Sequence, residues 1–378
     1  MDLGLTEIQQ MLKTSAQDFL TRECPLTLVR EMEEDSKGYT DDLWRQMVGL
    51  GWTGVAFPEQ YGGTGGTFAD LGVLLEEIGR SLAPSPFFST VVLGGMTVLD
   101  GGSDAQKDEI ISRICAGTII MTMGLSEASV STEPWGIEAT ATQQGSNYRI
   151  NGTKLFVPDA ESADTIIFAA RTSSESDPSK GISLFLVPSG ADGLTITPMN
   201  SVGNERVYEV SLENVSVSAD LLIGAVGEGW PIIERTLMRA TAGQCIEMLG
   251  GAVAVLEMTV EYAKGRTQFG RPIGSFQAVQ HHCARMATDV EGSKNIAYQA
   301  VWRLAEGLPS QKEVAMAKAW IGPAYRRVCG TAHQCHGAIG FTKEHDLQLY
   351  TRRAKVHELT YGDANHHKEV AFQHVDDE

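Results

Sequence analysis

The chain has 378 residues, of which 42% are hydrophobic and 21% are charged, and its formal net charge is −18. A chain of this length exceeds one ordinary hydrophobic core, so two or three domains are expected. The negative charge argues against nucleic acid as a partner, because nucleic-acid binding needs a basic surface.

The six cysteines are scattered without CxxC pairs, and the first residues, MDLGLTEIQQ, show no signal-peptide pattern. The thiols are therefore expected to be reduced, and a cytoplasmic location is predicted. Apolar runs such as residues 165–170 (TIIFAA) are much shorter than the roughly 20 residues that cross a bilayer. No membrane association is therefore expected.

Residues 1–120 are predicted to form an N-terminal helical domain, because apolar residues such as Leu71, Leu74 and Ile78 recur at helical spacing. A glycine-rich loop at 57–67 (FPEQYGGTGGT) interrupts the helices. It follows no predicted strand and precedes no GK[ST], so a tight connector is favoured over a phosphate-binding loop.

Residues 121–225 have the pattern of short strands. The segment 148–157 (YRINGTKLFV) alternates around Asn-Gly, and this pattern predicts a hairpin turn. Further strand-like runs follow at 164–171, 181–188, 193–198 and 208–217. A small antiparallel β-sandwich or barrel domain is predicted.

Residues 226–378 return to the helical period. One apolar stripe includes Leu249, Leu256 and Val260, and further stripes follow it. The predicted fold class is therefore α+β, with the β domain between an N-terminal helical domain and a C-terminal helical bundle.

The segment 266–291 (RTQFGRPIGSFQAVQHHCARMATDVE) resembles the helical signature of the acyl-CoA dehydrogenase family. Similar pieces lie at 51–66, 150–157, 227–230 and 334–341, and the resemblance runs from residue 1 to about residue 374. It implies two helical domains that flank a β domain, with a four-helix bundle at the C-terminal end. It also implies FAD as cofactor, acyl-CoA substrates, electron-transfer flavoprotein as electron acceptor, and a tetramer built as a dimer of dimers.

The resemblance assigns most of the FAD contacts to the C-terminal helices. Arg266 and Phe269 match the pair that contacts the pyrophosphate, and Gln277 matches a contact to the adenosine part, all three on the FAD of a neighbouring subunit. Gln334 and Gly337 match a stretch that receives the diphosphate across a subunit interface. A guanidinium suits this role because it makes charge-assisted, often bidentate hydrogen bonds to phosphate oxygens.

The residues that match the flavin-ring contacts follow the family less closely. Leu125 and Ser126 open a stretch that reads Leu-Ser-Glu-Ala-Ser in place of the family's L-T-E-P-x-A-G-S-D. Phe156 matches the aromatic residue that lies against the isoalloxazine. Two positions later, Pro158 replaces a threonine and has neither a hydroxyl nor a backbone N–H. The pyrophosphate end is therefore expected to be better preserved than the ring end.

The residue that removes the substrate proton has no evident counterpart. In the family a desolvated carboxylate of raised pKa takes the weakly acidic α proton of the acyl thioester. Tyr361 occupies its usual position, Ala240 occupies the alternative one, and Glu247 lies about two turns beyond the latter. Asp363 is either a relocated base or the N-cap of the next helix, with the cap favoured. Tyr361 is not expected to act as a base, because its phenol would need a strongly depressed pKa.

The ending Gly-Asp-Ala-x-x-His at 362–367 is similar to the subunits without this Glu in hetero-oligomeric acyl-CoA dehydrogenases. These include the small subunit of pimeloyl-CoA dehydrogenase and enzymes of steroid side-chain breakdown. The similarity implies an FAD-dependent acyl-CoA dehydrogenase of lipid or steroid catabolism, paired with a paralogous subunit that bears the Glu. A homo-oligomer stays open, as does a non-redox member of the fold that binds or hydrates acyl-CoA or acts as a scaffold.

His333 and His336 lie one helical turn apart and raise the question of a metal site. No carboxylate or cysteine pair at a second matching spacing accompanies them, so no metal is predicted.

Overall fold

The computed structural model describes residues 4–376 of the chain. In chain order these residues form helices, then a β-sheet, then further helices, and this order confirms the predicted α+β class. The helices before the sheet are α1 (Glu7–Glu23), α2 (Leu26–Glu34), α3 (Asp41–Gly49), α4 (Phe68–Ser81), α5 (Met96–Gly101), α6 (Asp104–Gln106) and α7 (Ser112–Cys115). π-Helical segments at Phe88–Gly95 and Lys107–Ile111 lead into α5 and α7.

Eight strands form the central sheet. They are β1 (Met121–Gly124), β2 (Thr140–Gln144), β3 (Asn147–Pro158), β4 (Thr165–Arg171), β5 (Ile182–Pro188), β6 (Leu194–Met199), β7 (Val207–Ser218) and β8 (Leu222–Ile223). Their order is β6-β7-β3-β2-β4-β5-β8, and β1 pairs with β4 in parallel. The strands bury one core that includes Ile150, Phe168 and Val210.

The Asn151-Gly152 pair lies inside β3, so the predicted hairpin turn at this position is wrong. β3 runs unbroken from Asn147 to Pro158, and the turn that joins it to β2 contains Gly145 at φ 63°. At Gly152 the pairing with β7 shifts its register, and a Cβ there would lie 2.4 Å from the Cβ of Ala139. The glycine therefore serves a β-bulge, which an Asn-Gly pair does not distinguish from a turn.

The helices after the sheet are α8 (Trp230–Gly265), α9 (Gln277–Ala305), α10 (Gln311–His336), α11 (Leu347–Leu359) and α12 (Ala364–Gln373). A short hairpin of β9 (Thr267–Gln268) and β10 (Arg271–Pro272) separates α8 from α9.

The chain divides into two compact units. A β unit consists of Met32–Gly66 and Pro84–Ala240. A helical unit consists of Thr67–Ala83, the chain from Thr241 onward, and the N-terminal segment that ends at Glu31. Helices α1 and α4 thus belong to the helical unit although they precede the sheet. The division into segments 1–120, 121–225 and 226–378 stays a prediction.

Helices α4 and α8 approach each other closely at two glycines of the helical unit. A Cβ on Gly79 would lie 2.1 Å from Glu247 O, and a Cβ on Gly250 would lie 1.9 Å from Glu76 O. Backbones can come this close only where the Cβ is missing. This crossing places the middle of α8 inside the helical unit.

Among residues 4–376, one helix, α8, is long and apolar enough by length and composition to cross a membrane. Its apolar window is 61% buried within the protein. A mostly buried core helix meets the same criterion, so length and composition alone do not indicate a span. Unbroken apolar runs, on which the sequence expectation was based, miss α8 because its apolar residues alternate with small and polar ones.

Candidate functional site

The β9–β10 hairpin presents Phe269 to solvent. Phe269 has φ 53° and is 93% exposed, and Gly270 follows at φ 77°. Arg271 lies over the Phe276 ring at 4.2 Å, and the Phe276 ring meets the Phe269 ring edge-on at 6.1 Å. An exposed aromatic ring on a left-handed residue is uncommon, and it indicates a surface that meets another molecule.

Arg266 lies at the start of this hairpin, directly after α8. Its backbone N–H donates to Tyr262 O, and its carbonyl accepts from Ile273 N, each at 2.8 Å. The side chain is exposed. Within residues 4–376 its guanidinium makes no hydrogen bond or ion pair, so its donors are available to an anion.

Gln277 is the first residue of α9, while Gln334 and Gly337 lie at the end of α10, and all three are exposed. Gly337 ends α10 at φ 66° and ψ −143°, a conformation that L side chains avoid. The rings of Tyr262 on α8 and His336 on α10 stack at 4.4 Å. This stack brings the end of α8, beside Arg266, to the end of α10, beside Gly337.

These residues fit the diphosphate of FAD. The helical unit offers a free guanidinium, and a Cβ on Gly337 would meet no atom within 4 Å. The glycine is therefore required by its backbone conformation and not by crowding from its own chain. An exposed glycine turn suits a phosphate group that approaches the backbone closely, and the arginine suits the charge of that group.

A buried ion pair supports Leu125 and Ser126 in the β unit. The Lys154 ammonium is fully buried and donates to Glu127 Oε1 at 2.5 Å and to Leu125 O at 3.2 Å. The Glu127 carboxylate also accepts from the backbone N–H groups of Glu138 (3.0 Å) and Ala139 (3.1 Å). The pKa of Lys154 is lowered to about 8, mainly by burial, while the charge of Glu127 opposes the shift. The loop between β1 and β2, which contains Leu125 and Ser126, is thereby held near both of its ends.

Phe156 lies beside this loop in an irregular part of β3. Its neighbour Leu155 donates from N to Ser126 O at 2.8 Å, and the pairing with β7 shifts register between Lys154 and Val157. Phe156 itself has φ 57° and is 48% exposed. The β unit therefore brings Ser126 and an exposed aromatic ring to the same place.

Pro158 faces Val207 at the end of β3 and offers no hydrogen-bond donor. The next residue, Asp159, is held by Ser89, whose hydroxyl donates to Asp159 Oδ2 at 2.5 Å. The β unit thus fits one face of a flat ring, but it lacks the donor that the family places at position 158.

The turn at Thr360–Asp363 places no free carboxylate at the position of the family's base. Asp363 is the N-cap of α12 and accepts from Asn365 N at 3.0 Å and from His366 N at 2.9 Å. These hydrogen bonds hold the pKa of Asp363 below its usual value, which is the opposite of what a general base needs. The favoured cap interpretation is confirmed.

Tyr361 is half-buried with φ 60°, and Ala240 is fully buried in α8. A methyl group and a phenol therefore occupy the two positions at which the family keeps its carboxylate.

Two buried lysines near these segments were missed by sequence reasoning. Lys154 stands at an inward position of β3, and Lys318 stands in the apolar stretch AMAKAW of α10. Lys318 donates to Gln244 Oε1 and to Thr360 O, and burial lowers its pKa to about 8. A lysine on an apolar face was the available signal, because a buried charge needs specific partners.

The histidines of α10 take part in ring stacks. His333 stacks on Phe341 at 4.4 Å, and its Nε2 lies 2.9 Å from Thr351 Oγ1. His336 donates from Nδ1 to Ala332 O at 2.8 Å. Within residues 4–376 no group of three His, Cys, Asp or Glu side chains is arranged to hold a metal ion.

Three family models match the chain along most of its length. They describe the N-terminal domain of acyl-CoA dehydrogenase at residues 6–118, the middle domain at 122–215 and the C-terminal domain at 227–375. The chain belongs to the acyl-CoA dehydrogenase family. The predicted family and fold are thereby confirmed.

Individual relatives agree with this assignment. The chain is 32% identical over 367 residues to the probable acyl-CoA dehydrogenase YngJ of Bacillus subtilis (strain 168), with 96% of each chain covered. It is similar to a structure described as electron transferring flavoprotein of Acidaminococcus fermentans, with TM-score 0.92, 30% identity and 100% of each chain covered. It is also similar to a chain of the ChsE4-ChsE5 complex from Mycobacterium tuberculosis, with TM-score 0.91, 29% identity and 100% coverage of each chain.

Proposed function

We propose that the protein takes part in FAD-dependent α,β-dehydrogenation of an acyl-CoA thioester, as the subunit without the catalytic Glu in a mixed assembly. The observation that carries this proposal is the state of the Thr360–Asp363 turn. Tyr361 replaces the carboxylate, and Asp363 is committed to two backbone N–H groups of α12. A partner subunit that supplies a base would complete the reaction.

Each unit has residues that match FAD contacts. In the helical unit Arg266, Phe269, Gln277, Gln334 and Gly337 would bind the diphosphate and adenosine parts of the FAD of a neighbouring subunit. In the β unit Ser126 and Phe156 would lie against a flavin ring. When bound, FAD supplies a hydride acceptor for the β carbon of the substrate. The chain's own part is to place the cofactor, and Pro158 offers no hydrogen-bond donor to the ring.

The similarity to one chain of the ChsE4-ChsE5 complex supports a protein partner in a mixed assembly. The similarity to the Acidaminococcus structure supports electron-transfer flavoprotein as the electron acceptor. The scattered cysteines, without CxxC pairs, support a cytoplasmic location.

Flavin content tests the proposal directly. The protein is purified alone and after co-expression with a family member that carries the Glu, and the absorption spectrum and acyl-CoA-dependent dye reduction are measured. Flavin colour and activity are expected in the co-expressed complex. Activity in the chain alone would refute the requirement for a partner. Acyl-CoA binding without flavin in either preparation would favour a non-redox member of the fold.

Arg266→Ala is the variant that tests the cofactor site. It removes a free guanidinium that would bind the FAD diphosphate. Because a hydrogen bond to a charged group contributes enough to change affinity at least about tenfold, we expect the complex to bind FAD at least about tenfold more weakly. Arg271→Ala is the matched control, because Arg271 lies in the same hairpin but packs on Phe276. Equal flavin occupancy in both variants and the wild type would contradict the assignment.

A further inference from the structure

The turn between α11 and α12 contains position 361, where the family resemblance places the catalytic carboxylate. Within it, Tyr361 has φ 60° and Gly362 has φ 98°. A non-glycine residue in the left-handed region is strained, and it persists only where its surroundings hold it. Two side chains from neighbouring helices hold this turn.

Lys318 of α10 holds the first carbonyl of the turn. Its buried ammonium donates to Thr360 O at 2.7 Å, to Gln244 Oε1 at 2.9 Å and to His357 O. A lysine ammonium has three N–H donors, so all of them are used. The lysine therefore joins α8, the end of α11 and the turn.

His367 of α12 holds the second carbonyl. Its Nε2 lies 2.8 Å from Tyr361 O, and because a carbonyl oxygen only accepts, Nε2 carries the proton. The ring also packs beneath Gly362, since a Cβ there would lie 3.0 Å from His367 Nε2. Consecutive carbonyl oxygens are thus held from two different helices.

We propose that Lys318 and His367 are positioning residues, which hold the carbonyl oxygens of Thr360 and Tyr361 and so fix the side chain at position 361 against the acyl-CoA substrate. The role toward acyl-CoA rests on the proposed function. The clamp itself rests only on the contacts of Lys318 and His367.

The charge on Lys318 makes this clamp depend on pH. Burial lowers the pKa of Lys318 to about 8, while Cys245 of α8, Glu358 of α11 and Asp363 before α12 oppose this shift. The Cys245 thiol is itself uncharged near pH 8, because burial raises its pKa to about 12. His367 is neutral in this range, because burial lowers its pKa to about 4. A neutral lysine keeps two N–H donors for three acceptors, so the turn loosens as pH rises through about 8.

Fluorine NMR of the Tyr361→Phe variant labelled with 4-fluorophenylalanine follows residue 361 through a ring that does not itself titrate, and its signal is the one absent from the labelled wild type. In this Tyr361→Phe background we expect the signal to shift with a midpoint near pH 8, the pKa of Lys318. Lys318→Met should abolish the shift and speed hydrogen exchange of the Gly362 amide by about tenfold or more. Lys318→Arg keeps the donors and does not titrate, so it should retain protection without the pH step.

Thr259→Val is the control for a general loss of stability. It removes a buried hydroxyl that donates to Val255 O within α8, away from the turn. It should leave both the fluorine signal and its pH step in place. An unchanged signal, pH step and exchange rate in Lys318→Met would overturn the proposal. The expected NMR result in a complex without dehydrogenase activity would count against the proposed function and leave the clamp standing.

Discussion

Lys154→Met tests how the buried ion pair of Lys154 and Glu127 supports the loop between β1 and β2, which contains Leu125 and Ser126. The substitution keeps the length of the side chain but leaves the Glu127 carboxylate buried without its cation. Breaking one partner of a buried pair typically costs about 3–5 kcal/mol. Glu127 keeps the backbone N–H groups of Glu138 and Ala139, so we expect a loss near the lower limit, about 3 kcal/mol.

Hydrogen exchange is the suitable assay, because a chain of two units need not unfold in one transition. The amides of Glu138, Ala139 and Leu155 report on the loop, and about 3 kcal/mol corresponds to roughly a hundredfold faster exchange. Lys180→Met is the control, because its ion pair with Glu228 (2.9 Å) is exposed and should contribute little. Unchanged exchange at these three amides in Lys154→Met would refute the reasoning.

The pH dependence gives a second measurement of the same pair. Burial lowers the pKa of Lys154 from 10.5 to about 8, so between these values the unfolded chain binds a proton that the folded chain does not. The contribution of Lys154 to stability therefore rises with pH across this window, by up to about 1.4 kcal/mol per pH unit. The difference between wild type and Lys154→Met should show this slope. A flat difference would mean that Lys154 titrates as an exposed lysine does.

Three further predictions concern the turn and α12. Asp363→Ala should cost about 1 kcal/mol of local stability, while Asp363→Asn keeps the cap; loss of activity in Asp363→Asn would identify Asp363 as a base after all. Burial lowers the pKa of His367 from 6.5 to about 4. The folded chain then binds fewer protons than the unfolded chain, so stability falls with decreasing pH in this window, by up to about 1.4 kcal/mol per unit. In hydrogen exchange of the α12 amides measured across this pH range, His367→Gln should lack this slope, and an unchanged slope would contradict the assignment. Tyr361→Glu alone should stay below full activity because Pro158 remains, and full turnover by that variant alone would disprove this.

The features that the sequence predicted correctly depend on residues close to one another in the chain. The Asp363 cap is one, because its hydrogen bonds reach only two and three residues ahead. The order of helices and strands is another, because hydrophobic periodicity is a local property. The family was identifiable for the same reason, since short segments such as RTQFG and QCHGAIGF carry the resemblance.

Only the tertiary structure decided how distant residues are combined. Lys154 and Glu127 are 27 residues apart, and Lys318 reaches Thr360 and Gln244 across 42 and 74 residues. The Asn151-Gly152 pair lies at a β-bulge, where Ala139 leaves no room for a side chain at position 152. Burial and close approach arise when separate segments pack, so a lysine or an Asn-Gly pair acquires its role from partners that its own neighbours in the sequence do not specify.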